Sequence, residues 1–88
     1  MEIKKIFTHP RFDKKFHKLP KRAVEKALSR EQIFRHDPFD PRLKTHKLHG
    51  RDQTLWSFYI NRSYRIKFIF ISPSEILFLD VGTHNIYS

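Results

Sequence analysis

The 88-residue chain has no cysteine, only two glycines, and half as many acidic as basic side chains: 9 Asp plus Glu against 18 Lys plus Arg. The missing cysteine excludes disulfide staples, thiol nucleophiles and thiolate zinc sites, and fits a reducing compartment. No stretch approaches the roughly 18 apolar residues of a membrane span, and the opening MEIKKIFTHPRF lacks the apolar segment of a secretory signal. A soluble, cytoplasmic protein with no membrane partner is the expectation. Repeats, low-complexity tracts and Gly/Ser linkers are also missing, so residues 1–88 read as one domain.

What the chain has is aromatic mass and positive charge. Nine Phe, three Tyr and one Trp let a small core bury a large apolar area, in a chain well above the roughly 40-residue size below which folds need metals or disulfides. A formal net charge of +9 creates a field that attracts polyanions. Nucleic acid leads among them, through counterion release at phosphates, ahead of an acidic protein or an anionic membrane surface.

Periodicity divides the chain in two. Residues 3–7 form a weak short strand, followed by a short helix with Pro10 in its first turn and Phe12, Phe16 and Leu19 at helical spacing before Pro20. KRAVEKALSREQIFRHD, residues 21–37, is an amphipathic helix with Val24, Ala27, Leu28 and Phe34 on its apolar side. DPFDPRL, residues 37–43, is a turning connector because its two prolines forbid helix. Beyond it the period changes to two.

TLWSFYI and YRIKFIFI read as paired strands in which the aromatic faces match only if Ile60 lies opposite Tyr64 and Phe58 opposite Ile66. That register pairs Tyr59 with Arg65 and Ser57 with Lys67 on the other, polar face. HKLHG, His46 to Gly50, supplies the first strand of this meander. ILFLDV, residues 76–81, is an apolar central strand, and Gly82 releases the chain toward His84. The fold class is α+β: an N-terminal strand and two helices on one face of a small, mainly antiparallel twisted sheet, in the order β-α-α-β-β-β with an extra strand possible.

The polar face offers His46, His49 and His84, Arg65, several lysines, and Tyr59 and Tyr87, but few carboxylates, with Asp80 alone in the last strand. Paired-carboxylate hydrolysis and two-metal nuclease chemistry therefore lack ligands. A mononuclear metal site from His46, His49 and His84 is disfavoured because the two histidines of HxxH, three apart on a strand, point to opposite faces. No metal and no cofactor is expected. Histidines and an arginine on one basic surface suit RNA cleavage by the substrate's own 2′-hydroxyl, which needs a proton acceptor, a proton donor and cations at the phosphate. The same residue types also gather on inert basic faces. His9, His17 and His36 fall at helix ends or on helices, where capping or solvation accounts for them, and Trp56 and Tyr64 belong to the core-facing stripe.

Four segments in order, KKFHKLP (Lys14 to Pro20), LKTHKLHG (Leu43 to Gly50), LWSFYINRSYRIKF (Leu55 to Phe68) and LDVGTHNIY (Leu79 to Tyr87), carry a resemblance. The chain resembles the RelE/ParE superfamily of type II toxin-antitoxin toxins, and within it the YafQ-type and YoeB-type messenger-RNA interferases. The resemblance implies a ribosome-dependent, metal-independent endoribonuclease that inhibits translation. Its implied partners are a cognate antitoxin, messenger RNA in the ribosomal A site, and ribosomal RNA. It further implies a monomer when free and a higher-order complex with antitoxin.

Position by position, the resemblance makes His46, Arg65 and His84 catalytic. Tyr87 corresponds to a terminal aromatic that helps hold the substrate; beside the resemblance, Lys44, Lys47 and Lys67 are read as phosphate-positioning cations and Tyr59 as a further substrate contact. His49 has no counterpart. Tyr59 and Ser63 stand where the YafQ-type branch has a histidine and an aspartate. The competing readings are a ParE-like, non-catalytic toxin that binds DNA gyrase, and a solitary family member that serves only as a binding partner. The combination of His46, Arg65 and His84 favours cleavage, because ParE-type members lack it.

Overall fold

In the computed structural model, which describes residues 1–49 and 54–87, the elements run β1 (Lys5–Thr8), α1 (Pro10–Phe16), α2 (Lys21–His36), a 3-10 turn (Pro41–Leu43), β2 (His46–Lys47), β3 (Trp56–Tyr59), β4 (Arg65–Ser72), β5 (Glu75–Gly82) and a C-terminal 3-10 turn (His84–Tyr87). Each helix start has a local cause. His9 accepts the Arg11 amide hydrogen on Nδ1 at 3.0 Å, ahead of Pro10, whose fixed φ suits a first helical position. Pro20 stands as the N-cap of α2, whose last turn carries Arg35 and His36, cations that suit a helix C-terminus.

The five strands form one sheet in the order β1-β5-β4-β3-β2. β3 and β4 pair in the register anticipated from the aromatic alternation, with Ser57 opposite Lys67, Phe58 opposite Ile66 and Tyr59 opposite Arg65. The Ile60 amide reaches the Tyr64 carbonyl at 2.9 Å. β1 departs from the antiparallel pattern: it pairs parallel with β5, closing the far edge of a mixed sheet.

The core lies between the helices and one sheet face. Phe34 of α2, fully buried, stacks on Phe58 at 4.7 Å and meets Phe68 and Phe78 edge-on at 5.1 and 5.6 Å. Phe12 of α1 lies 5.3 Å from Phe78. Trp56 and Tyr64 pack against this core half-buried, as their place on the stripe required. One core expectation is corrected: Leu28 is 53 % exposed, because the buried stripe of α2 runs through Ala23, Ala27 and Phe34. Small alanines there bring the helix close to the sheet and leave the neighbouring Leu28 on the rim. Among the described residues, no helix is long and apolar enough to cross a membrane.

Candidate active site

The sheet face opposite the core carries its polar side chains in two cross-strand rows. In the first, His46 of β2 lies opposite Ser57, Ser57 opposite Lys67, and Lys67 opposite Asp80. The second aligns Tyr59, Arg65 and Gly82. A register shift in the β4–β5 pairing between Lys67 and Phe68 leaves Leu79 as an extra residue, so that Asp80 falls on the polar row while Phe78 and Val81 both stay in the core. Two consecutive buried residues on β5, Asp80 and Val81, follow from that shift.

Asp80 is a charge in an apolar strand and needs a cation. Lys15 of α1 supplies it, with Nζ at 2.8 Å from Asp80 Oδ1, which also accepts the Val81 amide hydrogen at 2.9 Å. An acid inside ILFLDV signals such a partner, but nothing in the sequence points to Lys15 rather than another lysine.

The C-terminal turn folds back over these rows. Gly82 makes that possible: a Cβ at this position would stand 2.8 Å from Ile86 Cγ2, closer than carbon atoms pack. With Ile86 seated there, the Tyr87 hydroxyl lies 2.8 Å from Ser57 Oγ, and Lys67 Nζ donates to the Ile86 carbonyl at 3.1 Å. Ser57 thus has a role that sequence alone does not reveal, since its partner is 30 residues away. Burial pushes the Tyr87 phenol above its ordinary value of 10.0, outweighing the Ser57 hydrogen bond and the Arg65 charge, which favour the ionised form.

A prediction follows from the sign of that shift. The folded state favours the protonated phenol, so the docked turn is fully stabilised below about pH 10 and loosens as pH rises beyond it. In an alkaline absorbance titration, the transition removed by Tyr87→Phe is expected above the ordinary tyrosine value. Gly82→Ala, which displaces Ile86, is expected to move that transition back toward the ordinary value. An unshifted Tyr87 transition in the wild-type chain would show that the turn does not dock.

His46, Tyr59, Arg65 and Tyr87 form one cluster. The Arg65 guanidinium lies over the Tyr59 ring at 4.1 Å, with Nη1 donating to the Arg62 carbonyl at 3.0 Å. The His46 ring stands edge-on to Tyr59 at 6.3 Å and to Tyr87 at 5.9 Å. His46 Nδ1 lies 3.0 Å from the Lys44 carbonyl oxygen. A carbonyl only accepts, so Nδ1 carries the hydrogen, and in the neutral ring Nε2 keeps its lone pair free. Lys44 holds left-handed backbone, with φ of 52°, and sets its Nζ 5.5 Å from the Tyr59 ring.

His84 opens the C-terminal turn, exposed, and among the described residues its ring makes no hydrogen bond, ion pair or ring contact. It stands three residues before Tyr87, about 6 Å along a 3-10 turn. Lys47 is not brought to the cluster: it pairs with Trp56, and strand alternation sends it to the face opposite His46. His49 is exposed beyond β2, and Gly50 lies outside the described residues. His9, His17 and His36 sit at helix ends, as expected. Among the described residues, no three His, Asp or Glu side chains gather closely enough to hold a metal ion.

No protein-family model matches the chain, and no curated protein matches it in sequence. Solved structures do match in fold. The archaeal RelE–RelB complex of Pyrococcus horikoshii aligns over 94 % of this chain and 96 % of that one, with a TM-score of 0.72 and 20 % identity. The YoeB/ParE toxin of Agrobacterium tumefaciens aligns over 92 % and 99 %, at 0.77 and 19 %. The DinJ–YafQ toxin-antitoxin complex of Escherichia coli aligns over 98 % and 97 %, at 0.76 and 14 %. The fold of two helices on a five-stranded mixed sheet is therefore one that this chain shares with these solved toxins.

Proposed function

We propose that this protein is the toxin of a toxin-antitoxin module and acts in the cytoplasm as a metal-independent endoribonuclease on ribosome-bound messenger RNA. The observation that carries the reading is the convergence of His46, Arg65 and two tyrosines, drawn from three strands and the C-terminal turn, on the polar sheet face. Like folds solved together with RelB and DinJ support an antitoxin as the protein partner.

In the proposed reaction, His46 Nε2 takes the proton of the substrate 2′-hydroxyl, and the 2′-oxygen attacks the adjacent phosphorus. The bond to the 5′-oxygen breaks, and that oxygen leaves with a proton supplied by His84 at the rim. The products are a 2′,3′-cyclic phosphate and a 5′-hydroxyl. Arg65 answers the charge that accumulates on the phosphoryl oxygens, its fork held by the Tyr59 face and the Arg62 carbonyl. Lys67 and Lys44 add positive potential around the same phosphate, Tyr59 serves the substrate through the guanidinium it holds, and Tyr87 offers its ring to a flanking base.

Mapping messenger ends after brief expression tests the reading. New ends that persist in the presence of a chelator are expected. Intact messengers combined with arrested DNA supercoiling would instead favour a gyrase-binding toxin, a reading that the fold alone leaves open because one structural neighbour is described as a YoeB/ParE toxin.

A further inference from the structure

Next to the cluster, with Tyr59 in its wall, lies a concavity of about 290 Å³ lined by Lys26, Arg30, Arg42, Lys44 and Arg62, with Ile60 and Asn61 completing it. It draws cations from α2, the 3-10 turn and the β3–β4 connection, segments with no sequence signal linking them. No carboxylate lines it. Asp40, close by, is occupied: Arg42 grips it through Nε at 3.0 Å and Nη2 at 2.9 Å, which holds its carboxyl down at about 2. Among the described residues, Lys26, Arg30, Lys44 and Arg62 form no ion pair. Arg30 Nε is buried without a hydrogen-bond partner, a donor whose desolvation is uncompensated.

The four cations around this hollow repel one another, and an anion of matching size relieves that repulsion while giving the buried donor an acceptor. Two of the four are arginines, whose forks match phosphate oxygens. Two contacts join the hollow to the cleavage face: Lys44 lines it and faces the Tyr59 ring, and the Arg62 carbonyl anchors the guanidinium of Arg65.

We infer that Lys26, Arg30 and Arg62 form a phosphate-binding cradle that grips the sugar-phosphate backbone of single-stranded RNA next to the scissile linkage. The identity of the polyanion rests on the RNA-cleaving reading above. The cradle positions substrate and takes no part in bond breaking.

The test uses the full chain and a single-stranded RNA oligonucleotide made uncleavable by 2′-O-methylation, with binding measured across a range of salt. Each phosphate contact adds about 0.7 to the slope of log affinity against log salt. The double variant Lys26→Gln/Arg62→Gln, at two exposed positions, is expected to lose about 1.4 from the slope and about tenfold in affinity near physiological salt. Lys26→Arg/Arg62→Lys, which keeps both charges, is expected to restore most of both.

Unchanged RNA affinity and slope in the folded Gln variant would overturn the cradle. RNA binding unchanged while binding of a polyglutamate peptide is lost would also overturn it, in favour of an acidic protein segment. Because the probe is uncleavable, a chain that cuts no messenger still reports on the cradle, so failure of this inference is distinct from failure of the nuclease reading.

Discussion

Replacing His46 or His84 by alanine, one at a time, is expected to lower messenger cleavage by about 10²- to 10⁴-fold while leaving affinity for uncleavable RNA nearly intact. That range is what a positioned proton-transfer group contributes. The two variants should differ in stability. His46 is half-buried, hydrogen-bonded to the Lys44 carbonyl and lodged between two tyrosine rings, so its removal also loosens the edge of the site. His84 is exposed and its ring touches no partner among the described residues, so His84→Ala is expected to leave the melting temperature unchanged. A cleavage rate unaffected by His84→Ala would take that residue out of the proton transfer. An unaffected rate in His46→Ala would take the free Nε2 out of it.

The largest stability effect is expected at Phe34. Its ring is fully buried and is the one that joins α2 to three different strands, through Phe58, Phe68 and Phe78. Truncating a buried phenylalanine to alanine typically costs about 3–5 kcal/mol, the sum of lost transfer energy and the cavity left behind. Domains of this kind have total stabilities of about 5–15 kcal/mol, and in a chain this small each kcal/mol moves the melting point by about 4–8 °C. Phe34→Ala is thus expected to lower Tm by at least about 12 °C in thermal unfolding followed by circular dichroism. A fall of only a few degrees would mean that the helix layer is held mainly elsewhere.

The hairpin between β3 and β4 was legible because alternation of large aromatics with Ser57, Tyr59, Arg65 and Lys67 leaves a single register that turns Trp56, Phe58 and Phe68 to the core side. The helices were legible from spacing and from their prolines. Three features were not. The parallel docking of β1 on β5 depends on tertiary closure that a four-residue strand does not encode. The irregularity at Leu79 that turns Asp80 to the polar face has no glycine to announce it. The return of the C-terminal turn rests on an absence, the missing Cβ of Gly82, which in the sequence reads only as a place where the chain turns.

The same limits explain the site. Tyr59 and Arg65 could be placed side by side because they share a hairpin, whereas the contacts of Tyr87 with Ser57 and His46 required the fold. Lys47, read from the sequence as a phosphate contact, does not share the sheet face of His46. Neighbours in a strand face opposite ways, and β2 is a strand at both positions.

The chemistry of the severed ends tests the central claim most directly. Attack by the 2′-oxygen on a ribosome-bound messenger leaves a 5′-hydroxyl on the downstream fragment and a 2′,3′-cyclic phosphate on the upstream one, and those ends are the predicted result when purified toxin acts on messenger held in intact ribosomes. Fragments bearing 5′-phosphates, or a messenger left whole by the wild-type chain, would contradict the account.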